Sequence, residues 1–344
     1  MQQVIVTRFG GPEVLELHNL PDPEPGAGQV RVRLTSIGMN HADLMARRGE
    51  YRLSSGDPPF TPGIEGGGVI DLLGADVVDR RVGQRVTLGA GAPRRYGGTY
   101  RTHYIVDAAE TVPVPNELHD IQLGALWLTY VTAWGCLTWK QELRGGQTVA
   151  LPAASSGVAL AAAQIVRRGG ATVIGLTSSE AKAAQLRELP EADYDEVVAT
   201  RDGNGNAIAW HRELKRITHG HGVDVFFDPV AAGSYLDSEI RSLAQGGTIW
   251  VYGLLGRPDR VDVSPLIRKY GAIRGWLLNE LLEAGDDVVQ RGYREILEGF
   301  SAGQYRQRIA AAYPLVEVRA AHEAMERGEH VGKIGVDKLT MESR

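Results

Sequence analysis

From residue 1 to about 120 the apolar positions fall in short β-branched runs, Gln29 to Leu34, Gly67 to Leu72, Gln84 to Leu88 and His103 to Val106, broken by Gly, Pro and Asp. Such runs predict strands, and a small barrel-like domain is their simplest packing. From about 125 the pattern changes to apolar runs alternating with stretches of helical period, the signature of βαβ units and a parallel sheet. Strands are predicted at Thr148 to Leu151, Thr172 to Thr177, Glu196 to Thr200, Val223 to Phe227 and Thr248 to Tyr252, with Ile273 to Trp276 as a candidate sixth. Helices fit over 158–168, ended by Gly169-Gly170, and over 179–189, 206–218 and 234–244. Beyond these lie a helix over 279–302, a strand Tyr313 to Leu315, a short helix near 319–327 and a strand Ile334 to Asp337. This tail is too small to bury a core alone. The pattern therefore divides the chain into a β domain (1–124), an α/β domain (125–262) and a segment (263–344) that returns to the first.

Composition narrows the function. With 37 basic against 42 acidic residues the formal charge is -5, which lacks the basic excess needed to neutralise a phosphate backbone, so nucleic acid is not expected as a partner. Cys136 is the sole cysteine, which excludes an intrachain disulfide and a zinc held by several thiolates. It lies in Thr132-Ala133-Trp134-Gly135-Cys136-Leu137 with no charge beside it, the setting of a buried structural thiol. The first eight residues read as a strand rather than a leader, and no apolar run nears 18 residues, so a cytoplasmic protein with no membrane partner is expected.

The strand Thr148 to Leu151 runs into Pro152-Ala153-Ala154-Ser155-Ser156-Gly157-Val158-Ala159 and then a helix of small apolar residues. A helix start leaves backbone N–H groups unpaired, and small residues there admit a pyrophosphate. Ser156, Gly157 and Val158 are the expected donors. The dinucleotide fingerprint has three glycines where this turn has one, with Ala153 and Ala159 in place of glycine, so close packing of helix on sheet is the competing account. An NAD site places an acid at the end of the second strand. Here that position reads Thr177-Ser178-Ser179, with Lys182 one turn on, which suits the 2′-phosphate of NADPH. Equally, Thr177 could cap the next helix with Glu180 as its box partner.

Taken with these features, Gly10 to Leu15, Ile37 to Asp43, Pro62-Gly63-Ile64-Glu65-Gly66, Gly98-Thr99-Tyr100, Thr132-Ala133-Trp134, Asp228-Pro229-Val230 and Gly332-Lys333-Ile334 run in one order along nearly the whole chain. In these segments it resembles the medium-chain dehydrogenase/reductases, in their zinc-independent quinone oxidoreductase branch. The resemblance implies an α/β protein: a GroES-like, mostly β domain interrupted by a Rossmann domain with a doubly wound parallel sheet, often dimeric. Zinc-dependent relatives carry a cysteine where this chain has Asn40 and a histidine where it has Ile64, so no metal site is expected. The resemblance places Asn40 and Thr132 near the nicotinamide or substrate and Tyr252-Gly253 against the cofactor. Tyr51 should line the substrate cleft, as a proton source or as an aromatic wall.

Three functions follow. The first is an NADPH-dependent reductase passing hydride to a quinone or another α,β-unsaturated carbonyl compound, a small-molecule substrate. The second is an enoyl-thioester reductase of a biosynthetic pathway, for which Arg47, Arg48, Arg94 and Arg95 are candidate phosphate contacts. The third is a non-catalytic, NADPH-binding structural or regulatory protein, for which the glycine-poor turn is the argument.

Overall fold

The structure is a computed structural model describing residues 1–51, 56–257, 259–337 and 339. Along the chain run β1 (Gln2–Val6), β2 (Leu15–Asn19), β3 (Gln29–Gly38), α1 (His41–Arg48), β4 (Gly66–Leu73), β5 (Arg85–Leu88), β6 (His103–Asp107), β7 (Thr111–Pro113) and α2 (Trp127–Trp134). There follow β8 (Thr148–Pro152), α3 (Gly157–Arg168), β9 (Thr172–Thr177), α4 (Glu180–Glu188), β10 (Glu196–Ala199), β11 (Val223–Asp228), β12 (Leu243–Val251) and β13 (Ala272–Gly275). The last strands are β14 (Ile309–Pro314) and β15 (Lys333–Asp337). The chain forms two compact units: Met1–Leu128 with Tyr293–Ser301 and the residues from Gln307 on, and Thr129–Gly292 with Ala302–Arg306.

The first unit is built around β3, which pairs antiparallel with β4, β6 and β15. Along β3 the alternation is strict: Val30, Val32 and Leu34 are buried while Arg31 and Arg33 turn outward, as a sheet with one covered face requires. The tail supplies Leu315, Val318, Ala321, Ile334 and Val336 to the same core. Each large aliphatic side chain so buried contributes about 1.5–3 kcal/mol, which is why the tail folds here.

The second unit holds six strands in the order β10-β9-β8-β11-β12-β13, all parallel, the doubly wound order of a Rossmann domain. Strand order reverses between β8 and β11, so the turns leaving their carboxyl ends open the crevice where such folds bind ligands. The return to the first unit comes at Tyr293, not at the expected 263, because β13 first extends this sheet by pairing Thr248 with Ala272 through Val251 with Gly275. The helix expected over 279–302 is two, Leu278–Leu282 and Asp286–Ser301, separated at Gly285, whose φ of 108° no helix accommodates. The helix expected from 206 begins at Trp210, because the Asp202 carboxylate takes the N–H groups of Asn204 and Asn206 in a preceding loop. Among the described residues no helix is long and apolar enough to cross a membrane.

Candidate functional site

The turn after β8 is shaped by three contacts. Ser156 caps α3, its hydroxyl accepting from the Ala159 N–H at 3.2 Å. Tyr194 donates its hydroxyl to the Ala154 carbonyl at 2.7 Å. Gly175 on β9 lets the turn approach: a Cβ there would stand 3.0 Å from the Ala154 methyl and 3.1 Å from the Tyr194 ring. As the first two helical residues, Gly157 and Val158 have no intrahelical acceptor for their N–H groups. The methyl groups of Ala154 and Ala159 are buried in the packing of helix on sheet. Ala153 is the residue left on the turn, at a φ of 52°, a conformation glycine adopts freely and alanine does not. The glycine-poor turn thus keeps the course of a dinucleotide turn with its methyl groups mostly turned inward.

At the end of β9, Thr177 is buried and its carbonyl accepts from the Thr200 N–H and hydroxyl, at 2.7 and 3.1 Å. Ser178 is exposed, and Lys182 is half-buried on the first turn of α4. The cap of α4 is Ser179, which accepts from the Lys182 N–H at 3.3 Å, rather than Thr177, whose place in the sheet denies it that role. Glu180 is engaged by Arg187 at 2.6 Å, which draws its charge along the helix and away from the cap.

The carboxyl ends of β11 and β12 complete the crevice in this unit. The Asp228 carboxylate accepts from the N–H groups of Val230 and Ala231, at 2.6 and 2.8 Å, and burial pushes its pKa up to about 6 against those bonds. Tyr252 stacks on Phe227 with centroids 3.9 Å apart and lies against Ser156. Burial, then Asp228, raises its phenol above the ordinary value, which keeps it a hydrogen-bond donor. Gly253 is pressed on Pro229, at 3.0 Å from a built Cβ. The Thr132 carbonyl, on α2, accepts from the Trp276 indole at 3.1 Å. Of the cofactor residues expected from the sequence, the structure therefore brings Ser156 and Tyr252 together and gathers Thr177, Ser178 and Lys182 at the next strand end.

In the first unit Asn40 precedes α1, and its N–H donates to the Asp43 carboxylate at 2.8 Å. Its side chain is occupied on both ends: the amide nitrogen donates to Glu65 at 2.9 Å and to the Gly38 carbonyl at 3.2 Å, and the oxygen accepts from Lys333. Lys333 also faces Glu65 at 2.5 Å, and the second Glu65 oxygen accepts from the Leu128 N–H at 3.0 Å. Behind this cluster Asp43 meets the Tyr100 hydroxyl at 3.4 Å, and Tyr100 lies 3.2 Å from His322 Nε2. Burial pushes Asp43 up to about 7, and burial followed by Arg47 pushes His322 down to about 3, so both favour their neutral forms. Tyr51 is half-buried just after α1, at the edge of the described segment.

The amide of Asn40 and the aliphatic chain of Ile64 do not fit a zinc ion, and the charge of Glu65 is met by Lys333 instead. Among the described residues no group of three or more His, Cys, Asp or Glu side chains is arranged to hold a metal. Sequence reasoning missed the roles of Tyr194 and of Glu65 with Lys333. Glu65 and Lys333 stand in the family landmarks, but only the fold joins positions so far apart, and nothing in the local pattern marked Tyr194.

The chain is similar to known proteins along most of its length. The Alcohol dehydrogenase GroES-like domain family matches residues 26–116 and the Zinc-binding dehydrogenase family residues 157–291. The chain is 30% identical to the synaptic vesicle membrane protein VAT-1 homolog of Rattus norvegicus, over 96% of this chain and 82% of that one. It is 28% identical to 2-haloacrylate reductase of Burkholderia sp, over 96% and 97% of the two chains. Among solved structures, mycobacterial Rv1454c complexed with NADPH superposes with a TM-score of 0.84 at 25% identity, covering 98% of this chain and 100% of that one.

Proposed function

This chain belongs to the medium-chain dehydrogenase/reductase superfamily, in its quinone oxidoreductase branch, and from that premise we propose that it is an NADPH-dependent, zinc-independent reductase of quinones or other α,β-unsaturated carbonyl compounds. The observation that carries the cofactor choice is the end of β9. No acid stands there to bind a ribose 2′-hydroxyl, while exposed Ser178, the start of α4 and Lys182 offer donors and positive charge to a 2′-phosphate. Support also comes from the mycobacterial neighbour solved with NADPH and from the relative named for reducing a 2-haloacrylate, itself a conjugated acid.

Bound NADPH supplies a hydride. The protein's part is to hold it: the Gly157 and Val158 N–H groups and the Ser156 hydroxyl take the pyrophosphate, Thr177, Ser178 and Lys182 the 2′-phosphate end, and Thr132, Tyr252 and Gly253 the nicotinamide half. The Asn40 amide, held on both ends, is a positioning residue that fixes the start of α1, and Tyr51 donates to the acceptor oxygen. Lys333 meets the charge of Glu65, and the proposed reaction uses no Lewis acid. We read the protein as cytoplasmic, and as a homodimer joined at the β13 edge, where Ile267 and Tyr270 are exposed.

Fluorescence titration with NADPH and NADH tests this reading. NADPH is expected to bind about 10- to 100-fold tighter, the worth of one or two charge-assisted contacts, with Lys182→Ala removing most of the preference. Binding of neither nucleotide would overturn it.

A further inference from the structure

The first unit contains a cavity of about 380 Å³ whose wall includes Asp43, Phe60, Thr61, Ile64, Arg94 and Arg101. Ile64, which by the resemblance takes the place of a zinc-binding histidine in zinc-dependent relatives, is on that wall. Arg101 on this wall has no acid paired with it among the described residues. Its Nε is buried with no hydrogen-bond partner, and its guanidinium rests over the Tyr104 ring at 5.4 Å. Four other sheltered arginines of the unit each have a carboxylate partner, Arg31 with Asp71, Arg47 with Glu326, Arg80 with Asp79 and Arg85 with Asp120.

A sheltered cation without a counter-charge is costly, and burial lowers the Arg101 pKa accordingly. Among the described residues of the wall the one carboxyl, Asp43, forms no ion pair with Arg101. It already accepts from the Asn40 N–H and Tyr100, and burial favours its neutral form. With Arg94 also on the wall, the cavity is left with a positive balance.

We propose that Arg101 anchors a carboxylate in this cavity, so that the preferred acceptors are small conjugated carbonyl compounds carrying a carboxylate. This deepens the reductase reading and rests on it. The planar guanidinium matches a carboxylate with two parallel bonds, and the volume lies at the low end of ligand pockets, the size of an acid of a few carbons. In the reaction the carbon β to the carbonyl takes the hydride, the C=C π pair shifts to the α carbon, and that carbon takes one proton from water. The products are the saturated acid and NADP⁺.

The test compares 4-oxo-2-pentenoate with its methyl ester as acceptors, in the wild type, Arg101→Met and Arg101→Lys, with thermal melts to confirm folding. Arg101→Met is expected to lower the acid-to-ester ratio of kcat/KM about 10- to 100-fold, chiefly through KM, and Arg101→Lys to restore part of it. Levulinate, the saturated acid, is titrated in parallel by ligand-observed NMR without cofactor, where Arg101→Met should weaken binding by a similar factor. If the ratio is unchanged, or levulinate binds wild type and Arg101→Met alike, the proposal is overturned. If no acceptor oxidises NADPH the reductase reading fails instead, and the levulinate titration still decides Arg101.

Discussion

At the starts of α3 and α4, the second unit gathers backbone N–H groups, serine hydroxyls and a lysine beside exposed surface, with the Gly157 and Val158 donors lacking intrahelical partners. Around Asn40 the first unit gathers an amide, a carboxylate and an ammonium, each bonded to the next and all buried. Both are polar clusters, and they do opposite work. Backbone donors without intrahelical partners suit a ligand, whereas a closed cluster holds the backbone in place. Substitution should separate them: a change in the open cluster moves affinity, and a change in the closed one moves stability.

The largest effect is expected at Lys333. Lys333→Met leaves the Glu65 carboxylate buried beside Asn40 without its cation, and removing one partner of a buried pair typically costs about 3–5 kcal/mol. Urea unfolding should show that loss, with Lys333→Met/Glu65→Gln recovering part of it and Lys182→Ala leaving stability nearly unchanged. A Lys333→Met protein as stable as wild type would erase the distinction between the clusters.

The closed cluster should also be visible in the pH dependence of folding. Asp43 has a folded pKa of about 7 against an ordinary value of 3.8, so between these the folded state holds a proton that the unfolded state has lost. Stability from this group is full at the acid end, falls as pH rises through the window and levels off above 7. Asp228 and Glu239 in the second unit are raised in the same direction and keep their share of the slope. Asp43→Asn should therefore reduce the slope of unfolding free energy by about 1.4 kcal/mol per pH unit in the middle of the window. An unchanged slope would mean that Asp43 ionises normally.

The same contrast explains what the sequence disclosed. The open cluster is local: β8, its turn and α3 occupy consecutive residues, so period and cap residues marked it, and the acid missing after β9 could be read at its expected spacing. The closed cluster joins residues 40, 65 and 333, and Asn40 meets Lys333 across 293 positions, a pairing no local pattern specifies. Arg101 was hidden for the same reason. It follows Gly98-Thr99-Tyr100 directly, and whether a guanidinium there meets solvent, an acid or a cavity is decided by packing from elsewhere in the unit. The boundary expected at 263 failed on a further point: Ile273 to Trp276 was read as a strand, but its pairing with β12 was not.

The smallest effect, and the sharpest probe of the open cluster, lies at Ala153. A residue other than glycine at a φ of 52° costs about 1–2 kcal/mol, and glycine recovers that while adding about 0.4–1 kcal/mol of unfolded-state entropy against the fold. Ala153→Gly should therefore stabilise the protein by about 0–1.6 kcal/mol. Because this methyl remains on the turn while those of Ala154 and Ala159 are buried, its removal should tighten NADPH by no more than about threefold. Thermal melts and the nucleotide titration read the two effects separately. A more stable protein with unchanged NADPH affinity would place the pyrophosphate clear of Ala153; weaker binding would mean that the strained alanine holds the Gly157 and Val158 donors in position.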